Sequence, residues 1–334
     1  MLISLALFFL LILVHEFGHF VAAKFSGVKV REFSIGMGPV VAAAKKGDTL
    51  YSLRLVPLGG YNRMAGMEPD DMDDPKGFNR KSVPRRMVII VAGSMMNFIL
   101  AAVLYSVVFL AVGMPSDSPV IGKVVPGWPA HRAGLQEGDR IVAVDHIRVN
   151  RWVELVAAIR SNPEKTLTLV VERGRERFSV KVTPWRDPQT QTGVIGIEQA
   201  ITHPDPFAAL WQGIRQTGRM LVVVVDGFGQ MLLGRVPVDL VGPVGIVQLV
   251  GQAARFGAAS VLGFAAFISV NLGLINLFPI PALDGSRLVF LAIEAVRGRP
   301  VDPRKEGFVH LIGFAFLMLA ILVITYRDLL RLLS

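Results

Sequence analysis

The chain has 334 residues, 52% of them hydrophobic and 18% charged, with a mean hydropathy of +0.51, a balance that excludes an ordinary soluble domain and points to repeated membrane crossing. It contains no cysteine, which excludes disulfides and thiolate metal sites. The net charge of +9 comes without an aromatic-and-basic stripe, so it is read through its distribution along the chain and not as a nucleic-acid surface.

Residues 1–24 form the first predicted span. An α-helix needs roughly 20 apolar residues to cross the hydrocarbon core, and this stretch reaches that length only by running through His15, Glu16 and His19. It lacks the basic start of a cleavable signal peptide and places polar residues ahead of Ala22 and Ala23, so it reads as an uncleaved span. An ionisable side chain at mid-span costs about 3 kcal/mol on insertion scales, so three polar groups together require a partner or a function. His15-Glu16-Phe17-Gly18-His19 is an H-E-x-x-H run. Positions i and i+4 share a helix face, so both histidines can offer nitrogens to one ion. Glu16, about a hundred degrees round the helix from His15, can accept a proton without being a ligand. A segment that skims the interface with wet histidines is the competing reading.

Residues 25–86 are rich in Lys and Arg, which argues for the cytoplasmic side. Within them, VKVREFSIGMGPVVAAAKKGDTLYSLRLVPLGGYNRM alternates β-branched and aromatic runs with Gly-Pro, Lys-Gly-Asp and Gly-Gly signals; it predicts hairpins at or dipping into the membrane surface. Residues 87–114 are the second span. Residues 116–185 then turn to the alternation of a water-soluble α+β module, and PAHRAGLQEGDRIVAVD resembles the turn and central strand of a PDZ domain, although His146 stands where many PDZ domains have glycine. That resemblance implies either capture of peptide tails by strand addition or a steric filter.

Residues 186–255 read as a linker whose apolar stretch after residue 207, interrupted by Arg215, Arg219 and Asp226, fits an interfacial amphipathic helix or a re-entrant segment. The third span, 256–286, contains NLGLINLFPIPALDG. Pro279 and Pro281 break the helix, and Asn276 and Asp284 bring polar groups to membrane depth. Broken backbone inside a bilayer is tolerated where protein covers it or water lines it. Alone, Asp284 reads as a helix-end residue paired with Arg287; taken with His15 and His19 it is a candidate third ligand. Residues 287–306 form a second basic, cytoplasmic loop. The fourth span is 307–327, with His310 at its start, at the interface or against a neighbouring helix. His131, His146 and His203 read as solvated.

HEFGH together with NLFPIPALDG, which fits N-x-x-P-x-x-x-L-D-G, resembles the site-2 protease family of intramembrane zinc metalloproteases, in particular its PDZ-bearing bacterial branch. KVREFSIGMGP, YSLRLVPLGGYNRM, GFNRKSVPRRMVIIVAGSMMNF and VGPVGI extend the resemblance over most of the chain. It implies a polytopic α-helical membrane protein with about four transmembrane helices, a membrane-associated β-hairpin region and an inserted PDZ domain. It further implies one Zn2+ per chain held by His15, His19 and Asp284, Glu16 as catalytic base, and Asn97 beside the site, with Ser94 where relatives often have proline. Asn276 is a candidate for holding an oxyanion or a substrate backbone group.

The expected activity is regulated intramembrane proteolysis of single-span proteins, such as anti-sigma factors or remnant signal peptides, in the bacterial cytoplasmic membrane. The active site would face the cytoplasm and the PDZ domain the other side. The competing readings are a non-catalytic PDZ-bearing adaptor, and a metal transporter, which the absence of an inverted repeat disfavours.

Overall fold

Backbone in hydrocarbon must satisfy its own N–H and C=O groups, and the charge-poor stretches of this chain do so as helices. The structure, a computed structural model, describes residues 2–67, 71–236 and 241–333; parts of the expected β-region (68–70) and linker (237–240) lie outside these. The chain divides into two compact units, Met1–Val108 with Phe207–Ser334, and Phe109–Pro206.

The first unit opens with α1 (Leu2–Phe25), followed by β1 (Val30–Lys46) and β2 (Thr49–Met64). These two strands make one folded ribbon rather than separate hairpins. Residues 32–35 have partners on both sides, among Gly60–Arg63 and among Leu50–Leu53, while Leu50–Arg54 also pair with Val40–Lys45. The fold-back occurs at Gly36 (φ +86°), Gly38 (φ +85°) and Gly59 (φ +87°), where the backbone takes the left-handed conformation that glycine alone adopts freely. A turn of 3-10 helix at Phe78–Arg80 leads into α2 (Val83–Val112). This helix starts four residues before the expected span, because Pro84 fits a first helical turn and Arg85 and Arg86 extend the helix beyond its apolar part.

The 109–206 unit contains β3 (Met114–Pro115), β4 (Ile121–Val124), α3 (Pro129–Arg132), β5 (Arg140–Val144), β6 (Ile147–Arg148), α4 (Trp152–Arg160), β7 (Leu167–Arg173) and β8 (Glu176–Val182). It continues through β9 (Trp185–Arg186), β10 (Gly193–Val194), β11 (Ile197–Gln199) and β12 (Ile201–Thr202). An antiparallel sheet in the order β6-β5-β7-β8 and the helix α4 enclose a core that includes Ile121, Ile141, Leu155, Leu169 and Val171. This PDZ domain runs past the expected end at 185, because β11 pairs with β4 and β12 with β3, closing a neck at Ser116 and Ala200.

Back in the first unit come α5 (Pro206–Leu232), α6 (Pro243–Arg255), α7 (Ala258–Leu277), α8 (Asp284–Arg297) and α9 (Pro303–Leu333). Among the described residues, the helices long and apolar enough to cross a membrane are α1, α2, α7 and α9. The amphipathic α5 lies along α2, with Gly213 against Ala102 and Ser106, and its Phe228 meets Phe278 edge to face. The expected third span, 256–286, ends early at Leu277, and much of the expected basic loop 287–306 is helix α8. Helix resumes once Pro281 is passed, with the carboxylate of Asp284 in the first turn, where the helix dipole favours it.

Candidate metal centre

Three ligand atoms converge where α1 crosses α2 and meets the start of α8. Asp284 Oδ2 lies 3.1 Å from His15 Nε2 and 3.0 Å from His19 Nε2, and the two imidazole nitrogens are 3.2 Å apart. The histidine rings stand nearly perpendicular, at 83°, and both are buried. Glycines make the approach possible. A Cβ at Gly93 of α2 would collide with His19 Nε2 and stand 2.9 Å from His15 Cε1. One at Gly18 would strike the Ala92 carbonyl and Met96. One at Gly285 would strike the carbonyls of Leu277 and Phe278, so the Asp-Gly pair lets α8 start against the end of α7. Asp284 makes its ion pairs with the two histidines, whereas Arg287 turns to Met67 Sδ at 3.9 Å.

The triangle fits a tetrahedral ion. Bonds of about 2.0–2.1 Å place neighbouring ligand atoms about 3.3–3.4 Å apart, so the residues need spread by only a few tenths of an ångström, and two nitrogens with one oxygen form a donor set that suits zinc and leaves a position open. The hydrogen bonds behind the ligands agree with this. His19 Nδ1 donates to the Ile89 carbonyl at 2.9 Å, which leaves the Nε2 lone pair aimed into the triangle. His15 Nδ1 lies 3.2 Å from the wholly buried Asn97 amide, whose Oδ1 has no partner. Turning that amide end for end keeps its shape, lets Oδ1 accept from His15 Nδ1–H, and directs the His15 Nε2 lone pair toward Asp284. Ser269 of α7 donates to the Asn97 carbonyl at 2.8 Å, tying α2 to α7 at this level. Ser94 is fully buried in an unbroken α2.

Glu16 faces a cavity of about 690 Å³ that also borders His15, His19, Asp284 and Asn276. The structure thus brings four expected residues and Asn276 to one space, and sets Asn97 behind His15. Sequence reading missed Asn62. Its amide Nδ2 donates both to the Glu16 carbonyl and to Glu16 Oε2, each at 2.7 Å, so β2 holds the carboxylate in place. Gly60 passes so close that a Cβ there would stand 3.3 Å from Glu16 Cγ. A polar residue in a membrane-edge strand was the available signal, but nothing local links it to a glutamate 46 positions away.

The profile of Peptidase family M50 matches residues 3–320. A zinc metalloprotease RasP of Geobacillus kaustophilus is 35% identical, over 95% of this chain and 94% of its own length. A protein of Bacillus subtilis named regulator of sigma-W protease RasP is 32% identical, over 96% of each chain. Among solved structures, the PDZ domain of an SdrC-like protein from Listeria monocytogenes matches 26% of this chain and 93% of its own, at 22% identity and a TM-score of 0.23.

Proposed function

The chain belongs to peptidase family M50 and is a zinc metalloprotease of the membrane, and from that membership we propose that it cuts single-span proteins within or beside their transmembrane helix, using one Zn2+ held by His15, His19 and Asp284. The observation that carries this reading is the closed triangle of two imidazole nitrogens and one carboxylate oxygen beside Glu16, at the level of the apolar spans. When bound there, Zn2+ supplies Lewis acidity that polarises the scissile carbonyl and lowers the pKa of a water to about 7. Glu16, steadied by Asn62, accepts the proton of the attacking water and passes it to the leaving nitrogen. Asn276 borders the same cavity, on the side of the broken segment, where it can donate to a substrate carbonyl.

A substrate helix hides its backbone in hydrogen bonds and must unwind before it is cut. Strand addition to the folded ribbon would hold the unwound stretch. Residues 50–53 have partners on both sides, so the strand beside Glu16 that can accept another is Gly60–Met64. Proline at Tyr61 or Arg63 should lower cleavage at full zinc content; unchanged cleavage rules the pairing out.

The charge distribution supports a cytoplasmic-side active site and a PDZ domain across the bacterial cytoplasmic membrane. The name of the Bacillus relative supports anti-sigma-factor-like substrates, and remnant signal peptides offer the same single-span chemistry. The PDZ domain would bind peptide tails or exclude untrimmed substrates. Excising residues 117–199 at the Ser116–Ala200 neck should then let intact substrates be cut, and continued discrimination would remove the filter role. The test of the activity itself uses the purified chain in lipid nanodiscs with a single-span substrate. Chelation should stop cleavage, Zn2+ should restore it, and mass spectrometry should place the cut in or beside the apolar segment. No cleavage after zinc loading, or a cut confined to a distant soluble tail, would refute the proposal.

A further inference from the structure

The segment carrying Asp284 is the least regular backbone near the metal centre. Between the end of α7 at Leu277 and the start of α8 at Asp284, Ala282 has φ +77°, a left-handed conformation that a residue with a Cβ seldom adopts. Its N–H donates to His310 Nδ1 of α9 at 3.2 Å. One helical turn further along α9, Gly313 lies on Pro281: a Cβ there would stand 2.6 Å from the Pro281 carbonyl carbon and oxygen. The fourth span, exposed along most of its length, therefore touches this loop at two successive residues, two and three positions before the candidate ligand. Because Nδ1 accepts, the proton of the neutral imidazole sits on Nε2. That nitrogen is buried without a hydrogen-bond partner, and Glu306 Oε1 lies 3.7 Å away.

We propose that His310 is a positioning residue for the metal centre: its Nδ1 pins Ala282 in the left-handed conformation and so sets the direction from which the Asp284 carboxylate meets His15 and His19. The proposal rests on the reading of those three residues as the ligand set. A purely space-filling histidine would be replaceable by any side chain of similar size. A pinning histidine needs an acceptor at the Nδ1 position. Asn supplies one, because its Oδ1 sits where Nδ1 sits, whereas Gln places its amide near Nε2 and Leu has no acceptor.

The experiment follows zinc release from the zinc-loaded full-length protein in nanodiscs into excess chelator, for wild type, His310→Asn, His310→Gln, His310→Leu and Asp284→Ala. His310→Leu and His310→Gln should release zinc about tenfold faster than wild type and His310→Asn within about twofold, in the range seen when groups supporting metal ligands are removed. Wild-type release from Leu and Gln, or release from Asn as fast as from Leu, overturns the proposal. Zinc held by Asp284→Ala as firmly as by wild type would overturn the ligand reading, and this proposal with it. Zinc lost from Asp284→Ala but retained by His310→Leu would overturn this proposal alone.

Discussion

The two units of the chain bury opposite kinds of residue. In the PDZ domain the buried side chains are apolar, from Ile121 to Ile195, and Asp139 is the one buried polar residue among those described. In the membrane unit, His15, His19, Arg86, Ser94, Asn97, Ser269 and Asp328 are buried, while many large apolar side chains of α1, α5 and α9 face outward. The solvent accounts for the difference. Water drives apolar surface inward, but lipid is as apolar as leucine, so helices in a bilayer hold together through close packing at small residues and through polar contacts. The membrane unit gathers its polar groups at the interior for that reason, and the candidate metal centre of His15, His19 and Asp284 is one such gathering.

The comparison breaks first where packing is tightest. Gly93→Leu should drive the α1–α2 crossing apart, reduce zinc per chain to background and abolish cleavage, while the thermal transition of the PDZ domain stays in place. Three of the four tryptophans, Trp128, Trp152 and Trp185, lie in that domain, so fluorescence can follow its unfolding. Ile141→Ala is the converse, a large-to-small change in a dry core. It should destabilise the PDZ domain by about 3 kcal/mol and leave zinc content untouched.

Asp139 is the exception within the PDZ domain and makes the rule sharper. Burial pushes its carboxyl up, but the bonds from Arg173 Nε at 2.7 Å and Nη2 at 2.9 Å, with the Gln136 N–H at 2.8 Å, outweigh burial and hold it below the usual carboxylate range. A carboxyl lowered by folding stabilises the fold above its unfolded value of about 4 and loses that contribution as pH falls toward the folded value. Asp139→Asn should cost about 2 kcal/mol at pH 7 and flatten the acid limb of the stability profile. If the mutant and wild-type profiles stay parallel below pH 4, the pair is not what stabilises the domain. The smallest effect is expected at Asn62. Asn62→Ala should lower kcat about tenfold, the scale of one hydrogen bond to a charged group, with zinc content and KM unchanged. A change in zinc content would show that Asn62 supports the ligands and not the base.

All three residues of the candidate metal centre were named from the sequence, His15 and His19 by helical spacing and Asp284 by the family resemblance, but the backbone that aims Asp284 at the histidines was not legible, for a physical reason. HEFGH lies on a regular helix, where spacing alone fixes that His15 and His19 share a face. Asp284 follows two prolines, so its direction depends on a left-handed Ala282, on Gly285 against α7 and on His310 of α9. Residues 26 positions apart carry no periodic signal for such an arrangement. His310 was read as an interfacial residue or a neighbour-facing one; its partner is a loop N–H. The ribbon was legible as β structure from its turn residues, but its fold-back was not, because register inside a bent strand depends on contacts between residues 32–35 and two separate segments. The helix α8 was hidden behind the basic residues that marked it as a loop.

The central claim is that Glu16 is the working base beside an ion held by other residues. Its most direct test is Glu16→Gln, with cleavage of a single-span substrate and zinc per chain measured on the same nanodisc sample. The expected result is wild-type zinc with cleavage reduced about a thousandfold, as loss of a general base implies. Wild-type cleavage, or loss of the zinc, would contradict it.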